Sequence, residues 1–139
     1  MQSVDALAHP FLESGVTKVL GIEARGFILG AILARRLDAG FIPVRKKGKL
    51  PHDILAEEYD LEYGTDCIEM HADALDPSDV VLIHDDVIAT GGTAAAAGRL
   101  VHETGARIEG FAFLIELDFL SGRKALEDSA RVHSVLRYK

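Results

Sequence analysis

Asp79-Val80-Val81-Leu82-Ile83-His84-Asp85-Asp86-Val87-Ile88-Ala89-Thr90-Gly91-Gly92-Thr93 is the stretch on which the fold turns. Asp79–Ile83 is almost continuously apolar, as expected of a strand covered on both faces in a parallel sheet. It ends in two carboxylates, and after a short turn Thr-Gly-Gly-Thr opens a helix over Thr93–Thr104, stopped by Gly105. Gly91 and Gly92 allow close backbone approach and torsions denied to other residues. A helix start presents unpaired amides and partial positive charge, which stabilise a phosphate, and Thr90 and Thr93 add hydroxyl donors. Asp85 and Asp86 would repel that phosphate. They suit hydroxyl donors such as the 2′-OH and 3′-OH of a ribose, or a divalent cation. A plain strand-to-helix turn would leave the two adjacent acids without partners at the mouth of a buried strand, which is costly. An acidic pair beside a cradle formed by Ala89, Thr90, Gly91, Gly92 and Thr93 therefore reads as a sugar-phosphate site. Neither a Walker pattern nor G-x-G-x-x-G is present.

On either side, strand and helix signals alternate. Val4–Leu12 carries a helical apolar stripe at Val4, Leu7, Phe11 and Leu12, and Thr17–Ile22 suits a buried strand. Phe27–Leu37 reads as a helix, with Arg35 and Arg36 in its last turn and Gly40 just beyond. It is apolar on most sides, so it must be covered twice. Phe41–Arg45 predicts a strand, and Lys46–Glu57, with Gly48 and Pro51 and no period, a loop. Glu58–Tyr63 and Cys67–Met70 alternate like strands with one wet face. Phe111–Leu117 reads as another buried strand, Leu120–Glu127 as a short helix and Val132–Leu136 as an edge strand. The pattern predicts an α/β fold, a central mostly parallel sheet flanked by helices, in a single domain over 1–139. Ligands of such sheets sit outside the carboxyl ends of the strands, so the residues that follow strands carry the functional interest.

The 139 residues are 48% apolar and 27% charged, enough for a real core. Fifteen basic and 22 acidic side chains leave a net charge of −7, unfavourable for general binding of nucleic acid or an anionic membrane. Bound phosphates would need backbone amides and a few placed cations, and Arg45, Lys46, Lys47 and Lys49 are clustered. Cys67, the single cysteine, is expected to be a small core residue. No basic-then-apolar leader and no membrane-length apolar run is visible, which makes the cytoplasm the default location. The histidines show no metal-ligand spacing. His84, directly before Asp85, is expected to be a buried histidine satisfied by one hydrogen bond, the alternative being that it tunes the acid pair.

Val80–Thr93 resembles the phosphoribosyl-pyrophosphate signature of type I phosphoribosyltransferases. Gly21-Ile22-Glu23-Ala24-Arg25-Gly26-Phe27, Val44-Arg45-Lys46-Lys47-Gly48-Lys49-Leu50-Pro51 and Tyr59-Asp60-Leu61-Glu62-Tyr63-Gly64 are similar, in order and spacing, to the adenine branch of that family. The resemblance covers nearly the whole chain. It implies a purine-salvage enzyme that joins adenine to phosphoribosyl pyrophosphate, giving AMP and pyrophosphate, with Mg²⁺ held mainly through the substrate. It also implies a homodimer, for which the apolar Phe27–Leu37 helix could supply the contact.

The resemblance assigns roles residue by residue. Asp85 and Asp86 would take the ribose and Ala89–Thr93 the 5′-phosphate. Ala24, Arg25 and Gly26 would form a pyrophosphate loop, with a non-prolyl cis peptide at Glu23–Ala24. A cation at a helix start is disfavoured, so an anionic ligand explains Arg25 better than solvent does. Arg45, Lys46 and Lys49, leading into a long loop, would add pyrophosphate contacts, with Lys47 the weakest candidate and Tyr63 beside them. By composition alone they are equally a solvated basic turn. Glu62 would be the general acid/base for the purine ring, although as a lone residue it reads as an outward strand position. Leu117 would pack on the base, or be plain core.

Family members carry several tens of residues ahead of the first helix, including much of a hood that clamps the purine. Met1–Ser3 alone precede it here, so the N-terminal hood is expected to be largely absent. Three functions fit: an adenine transferase, a transferase for another purine such as xanthine, and a non-catalytic regulator or inactive homologue that binds phosphoribosyl pyrophosphate. The retained Glu62 and basic loop favour an enzyme.

Overall fold

A computed structural model describes residues 2–51, 53–61, 63–126 and 130–139. One seven-stranded sheet is formed by β1 (Lys18–Ile22), β2 (Gly40–Lys46), β3 (Ile54–Asp60), β4 (Thr65–His71), β5 (Val80–Ile88), β6 (Arg107–Leu117) and β7 (Arg131–Tyr138). Their order is β3-β4-β2-β1-β5-β6-β7. The five strands from β2 to β7 across β1, β5 and β6 are parallel, while β3 and β4 form an antiparallel hairpin joined to β2 through β4. The helices are α1 (Gln2–Ala8), α2 (Gly26–Arg36) and α3 (Gly92–Glu103). None among the described residues is long and apolar enough to cross a membrane.

Strand alternation fills both faces of the sheet. Val19, Leu82 and Ala112 join a core with Leu7 of α1 and Leu33 of α2. Leu20, Val81, Ile83, Phe111 and Phe113 join the opposite core with Ala97 and Leu100 of α3 and with Tyr59 and Met70 of the hairpin. The near-continuous apolar strands of the sequence thus reflect burial on two sides.

Several element boundaries differ from the sequence pattern. β3 begins at Ile54, inside the expected loop, because β4 supplies a partner for every residue from Ile54 to Asp60. It ends before Gly64, whose φ of +90° closes the turn. Cross-strand pairing overrides weak local propensity there. β5 runs through the acid pair to Ile88, since β6 offers Phe113, Ile115 and Glu116 as partners to Asp85, Val87 and Ile88. Pro10, which lacks an amide hydrogen, turns the end of the first helix into a 3-10 segment, His9–Phe11. Leu120–Glu127 is not one helix. Two 3-10 turns, Asp118–Leu120 and Gly122–Ala125, are separated by Ser121 at φ 55°, and Glu127 lies outside the described residues. Cys67 is half-buried on β4 rather than in the core.

Candidate active site

β1 has β2 on one side and β5 on the other, so the chain winds away in opposite directions from the β1/β5 pair. A parallel α/β sheet binds ligands at such a reversal, outside the carboxyl ends of the two strands. Residues 23–26 follow β1 there, and residues 85–93 end β5 and open α3.

Gly91 precedes α3 with φ +87°, a torsion that favours glycine, and no side chain among the described residues caps the helix. The amides of the first turn therefore stay available, apart from local bonds. The loop walls a small cavity of about 100 Å³ lined by Asp85 and residues 87–94. Anion-stabilising backbone and an acid thus meet in one concavity, as a sugar phosphate requires.

Asp85 and Asp86 are consecutive on β5, half-buried, and the Asp86 amide donates to Asp85 Oδ1 at 2.8 Å. Burial pushes the Asp85 carboxyl up to about 7, with the neighbouring acid adding to the rise and Arg25 opposing it. His84, fully buried, bonds through Nδ1 to the Ala112 carbonyl at 2.9 Å. A carbonyl only accepts, so Nδ1 carries the proton, and Nε2 has no hydrogen-bond partner among the described residues. Desolvation lowers the His84 pKa, which keeps the ring neutral. The single hydrogen bond matches the sequence expectation.

The Glu23–Ala24 peptide is cis. Arg25 stands at the start of α2, 79% exposed, with Nε 3.1 Å from Asp86 Oδ2. Glu23 is a residue whose importance was not evident from its place in the sequence. Its nearly buried carboxylate accepts the Lys46 amide at 2.8 Å, is bonded by the Lys49 ammonium, and lies 3.4 Å from Arg45 Nε. Burial would raise its pKa, but these donors and charges outweigh that and hold it below the usual range. An acid directly after a buried strand, like Asp85, was the available signal. Glu23 gathers Arg45 and Lys49 beside the Ala24–Gly26 loop, so the cations flank one end of the site.

Lys46 points elsewhere: its ammonium bonds Tyr59 Oη at 2.6 Å and Asp66 Oδ2 at 2.8 Å, tying β2 to the hairpin. Tyr63 is 87% exposed in the β3–β4 turn. Glu62 lies outside the described residues. Leu117 is half-buried at the last position of β6, beside Tyr138 of β7.

Residues 3–136 match the model of the phosphoribosyl transferase domain family. The chain is 54% identical over 136 residues to the adenine phosphoribosyltransferase of Nitrosococcus oceani, covering 98% of this chain and 79% of that one. A crystal structure of adenine phosphoribosyltransferase from Rhodothermus marinus superposes with a TM-score of 0.96 at 63% identity, covering 99% of this chain and 78% of the other. The Saccharomyces cerevisiae adenine phosphoribosyltransferase, solved with an imino-altritol bisphosphate and adenine, gives a TM-score of 0.88 at 43% identity, with 95% and 76% coverage.

Proposed function

The chain belongs to the phosphoribosyl transferase domain family, in its adenine phosphoribosyltransferase branch, and from that premise we propose how its residues move a phosphoribosyl group from phosphoribosyl pyrophosphate to adenine. The bond between C1 of the ribose and the pyrophosphate oxygen breaks, and a bond from an adenine ring nitrogen to C1 forms. The ring nitrogen gives up its proton, and the products are AMP and pyrophosphate. The observation that carries this reading is the adjacency of an acid pair and an amide cradle at one strand end, with cations across the strand-order reversal.

In this reading Ala89, Thr90, Gly91, Gly92 and Thr93 hold the 5′-phosphate, while Asp85 and Asp86 accept hydrogen bonds from the ribose hydroxyls. Fixing both ends of one sugar orients C1 for in-line displacement. Ala24, Arg25 and Gly26, with Arg45 and Lys49, face the pyrophosphate and stabilise its growing negative charge. Tyr63 would contribute from the β3–β4 turn, and Lys46 from β2 once its ammonium is released from Tyr59 and Asp66. Glu62 takes the ring proton, and Leu117 packs on the base.

Mg²⁺ would be carried mainly by substrate oxygens, with the Asp85 and Asp86 carboxylates, half-buried at the end of β5, beside it. When bound, the ion neutralises charge on the pyrophosphate. Cytoplasmic purine salvage belongs to the same reading. So does a homodimer through α2, where Ile28 is 72% exposed.

The test is pyrophosphate release with phosphoribosyl pyrophosphate and Mg²⁺, offering adenine, guanine, hypoxanthine and xanthine in parallel. Turnover with adenine is expected. Turnover with a different purine alone would reassign the substrate, and ligand binding without any turnover would make the chain a non-catalytic binder.

A further inference from the structure

The loop assigned to the 5′-phosphate has an outer wall made by another segment. A Cβ placed on Gly91 would fall 2.3 Å from the Gly122 carbonyl oxygen and 2.9 Å from Ala125 Cβ. A Cβ on Gly122 would fall 2.4 Å from the Ala89 carbonyl oxygen and 2.8 Å from Ile88 Cγ1. The 3-10 turn Gly122–Ala125 is thus seated on residues 88–91 backbone to backbone, across two glycines. Neither surface can gain a side chain without shifting the other.

An ion pair holds the turn there. Arg123 Nε donates to Glu116 at 3.0 Å and 2.8 Å, to its two carboxylate oxygens, and Arg123 Nη1 donates to the Val132 carbonyl at 3.2 Å. Glu116 is 2% exposed on β6, in register with Ile88 at the foot of the loop. Ser134 Oγ donates to it at 2.6 Å and Arg137 Nε lies 3.7 Å away. Burying a carboxylate is expensive, and a buried pair contributes little net stability over an apolar replacement. What this pair does accomplish is geometric: it fixes Gly122 relative to β5.

We infer that Glu116 and Arg123 are positioning residues for the 5′-phosphate, acting through Gly122 to set the shape of the Ala89–Gly91 loop. This rests on the reading of Ala89–Thr93 as the phosphate cradle. The pair touches no substrate. It keeps the loop amides aimed at one point, and a displacement of about an ångström in such a site costs roughly a hundredfold.

The experiment measures binding of ribose 5-phosphate and, separately, of Mg²⁺-pyrophosphate to wild type, Gly122→Ala, Arg123→Ala and Arg123→Lys. Gly122→Ala and Arg123→Ala are expected to weaken ribose 5-phosphate binding about tenfold to a hundredfold. Pyrophosphate binding stays at the wild-type value, and Arg123→Lys restores part of the loss. The KM for phosphoribosyl pyrophosphate rises more than kcat falls. A folded Arg123→Ala with wild-type ribose 5-phosphate affinity overturns the inference; should Arg123→Ala fail to fold, Arg123→Lys decides in its place, since wild-type affinity there overturns it equally. A folded Gly122→Ala with wild-type ribose 5-phosphate affinity overturns the inference, and so does an equal loss of both ligands, which would mark a general structural role. Failure of the wild type itself to bind ribose 5-phosphate would instead remove the cradle assignment, and the inference with it.

Discussion

Arg25 Nε lies 3.1 Å from Asp86 Oδ2, a single contact that joins the loop after β1 to the acid pair on β5. In the proposed function the two residues serve different parts of one substrate, the pyrophosphate and the ribose. Their contact spans the strand-order reversal, so the proposed function places groups on both sides of C1 within reach of adjoining side chains.

Arg25 is mostly exposed, and an exposed ion pair contributes about 0–1 kcal/mol to stability. In the proposed function its worth lies in the charge that develops on the leaving group. Arg25→Ala is expected to lower kcat/KM for phosphoribosyl pyrophosphate by roughly a hundredfold. Its thermal midpoint should stay near wild type. Steady-state kinetics and thermal unfolding on the same sample check both halves, and an unimpaired kcat/KM would remove Arg25 from the site.

Asp85 has the opposite balance. Its carboxyl is pushed from an ordinary 3.8 up to about 7 by burial. The folded state therefore holds the proton more tightly than the unfolded chain. Stability from this group is complete below the unfolded pKa and is lost as pH rises through the folded one. Asp85→Asn should accordingly be more stable than wild type above neutrality, by about 1–2 kcal/mol, with the gain vanishing below about pH 4. Together with Asp86→Asn it should abolish turnover while the fold survives. Thermal midpoints against pH test the first part; a gain independent of pH would contradict it. Unchanged kinetics in the double variant would remove the ribose role.

Arg99 ties α3 to the hairpin, with Nε 3.1 Å from Glu57 Oε2 and Nη2 donating to the Glu58 carbonyl at 3.0 Å. β3 also lies over the start of α3, where a Cβ on Gly92 would meet the Asp60 carbonyl oxygen at 3.7 Å and the Tyr59 ring at 3.8 Å. Arg99→Ala should speed amide exchange in residues 54–60 while changing global stability by less than about 1 kcal/mol. Exchange at the wild-type rate would mean that the hairpin is held without Arg99, by its pairing to β2, the Lys46 contacts and the packing of Tyr59.

How far the sequence spoke depended on how local each signal was. β5, the acid pair, the glycine turn and α3 are contiguous, and every cue needed to read them lies within Val80–Glu103. The Glu23–Ala24 cis peptide came from family resemblance, since nothing in those two residue types demands it. Glu58–Asp60 of β3 was legible as part of an alternating strand, but Ile54–Glu57 lay in an unpatterned stretch, and only pairing with His71, Met70, Glu69 and Ile68 makes it a strand. Glu23 reads as one more acid after a strand and Glu116 as one more acid within one. Their meaning comes from Arg45 and Lys49 in one case and Arg123 and Ser134 in the other, partners that only the folded sheet brings near.

The central claim is that Asp85 and Asp86 grip the ribose while the mouth of α3 grips the phosphate of the same molecule. A crystal structure of this protein with AMP tests it directly. The account predicts the phosphate on the backbone amides of Thr90–Thr93 and the ribose hydroxyls on the two carboxylates. AMP bound with its phosphate away from that turn, or with its ribose turned from Asp85 and Asp86, would contradict it.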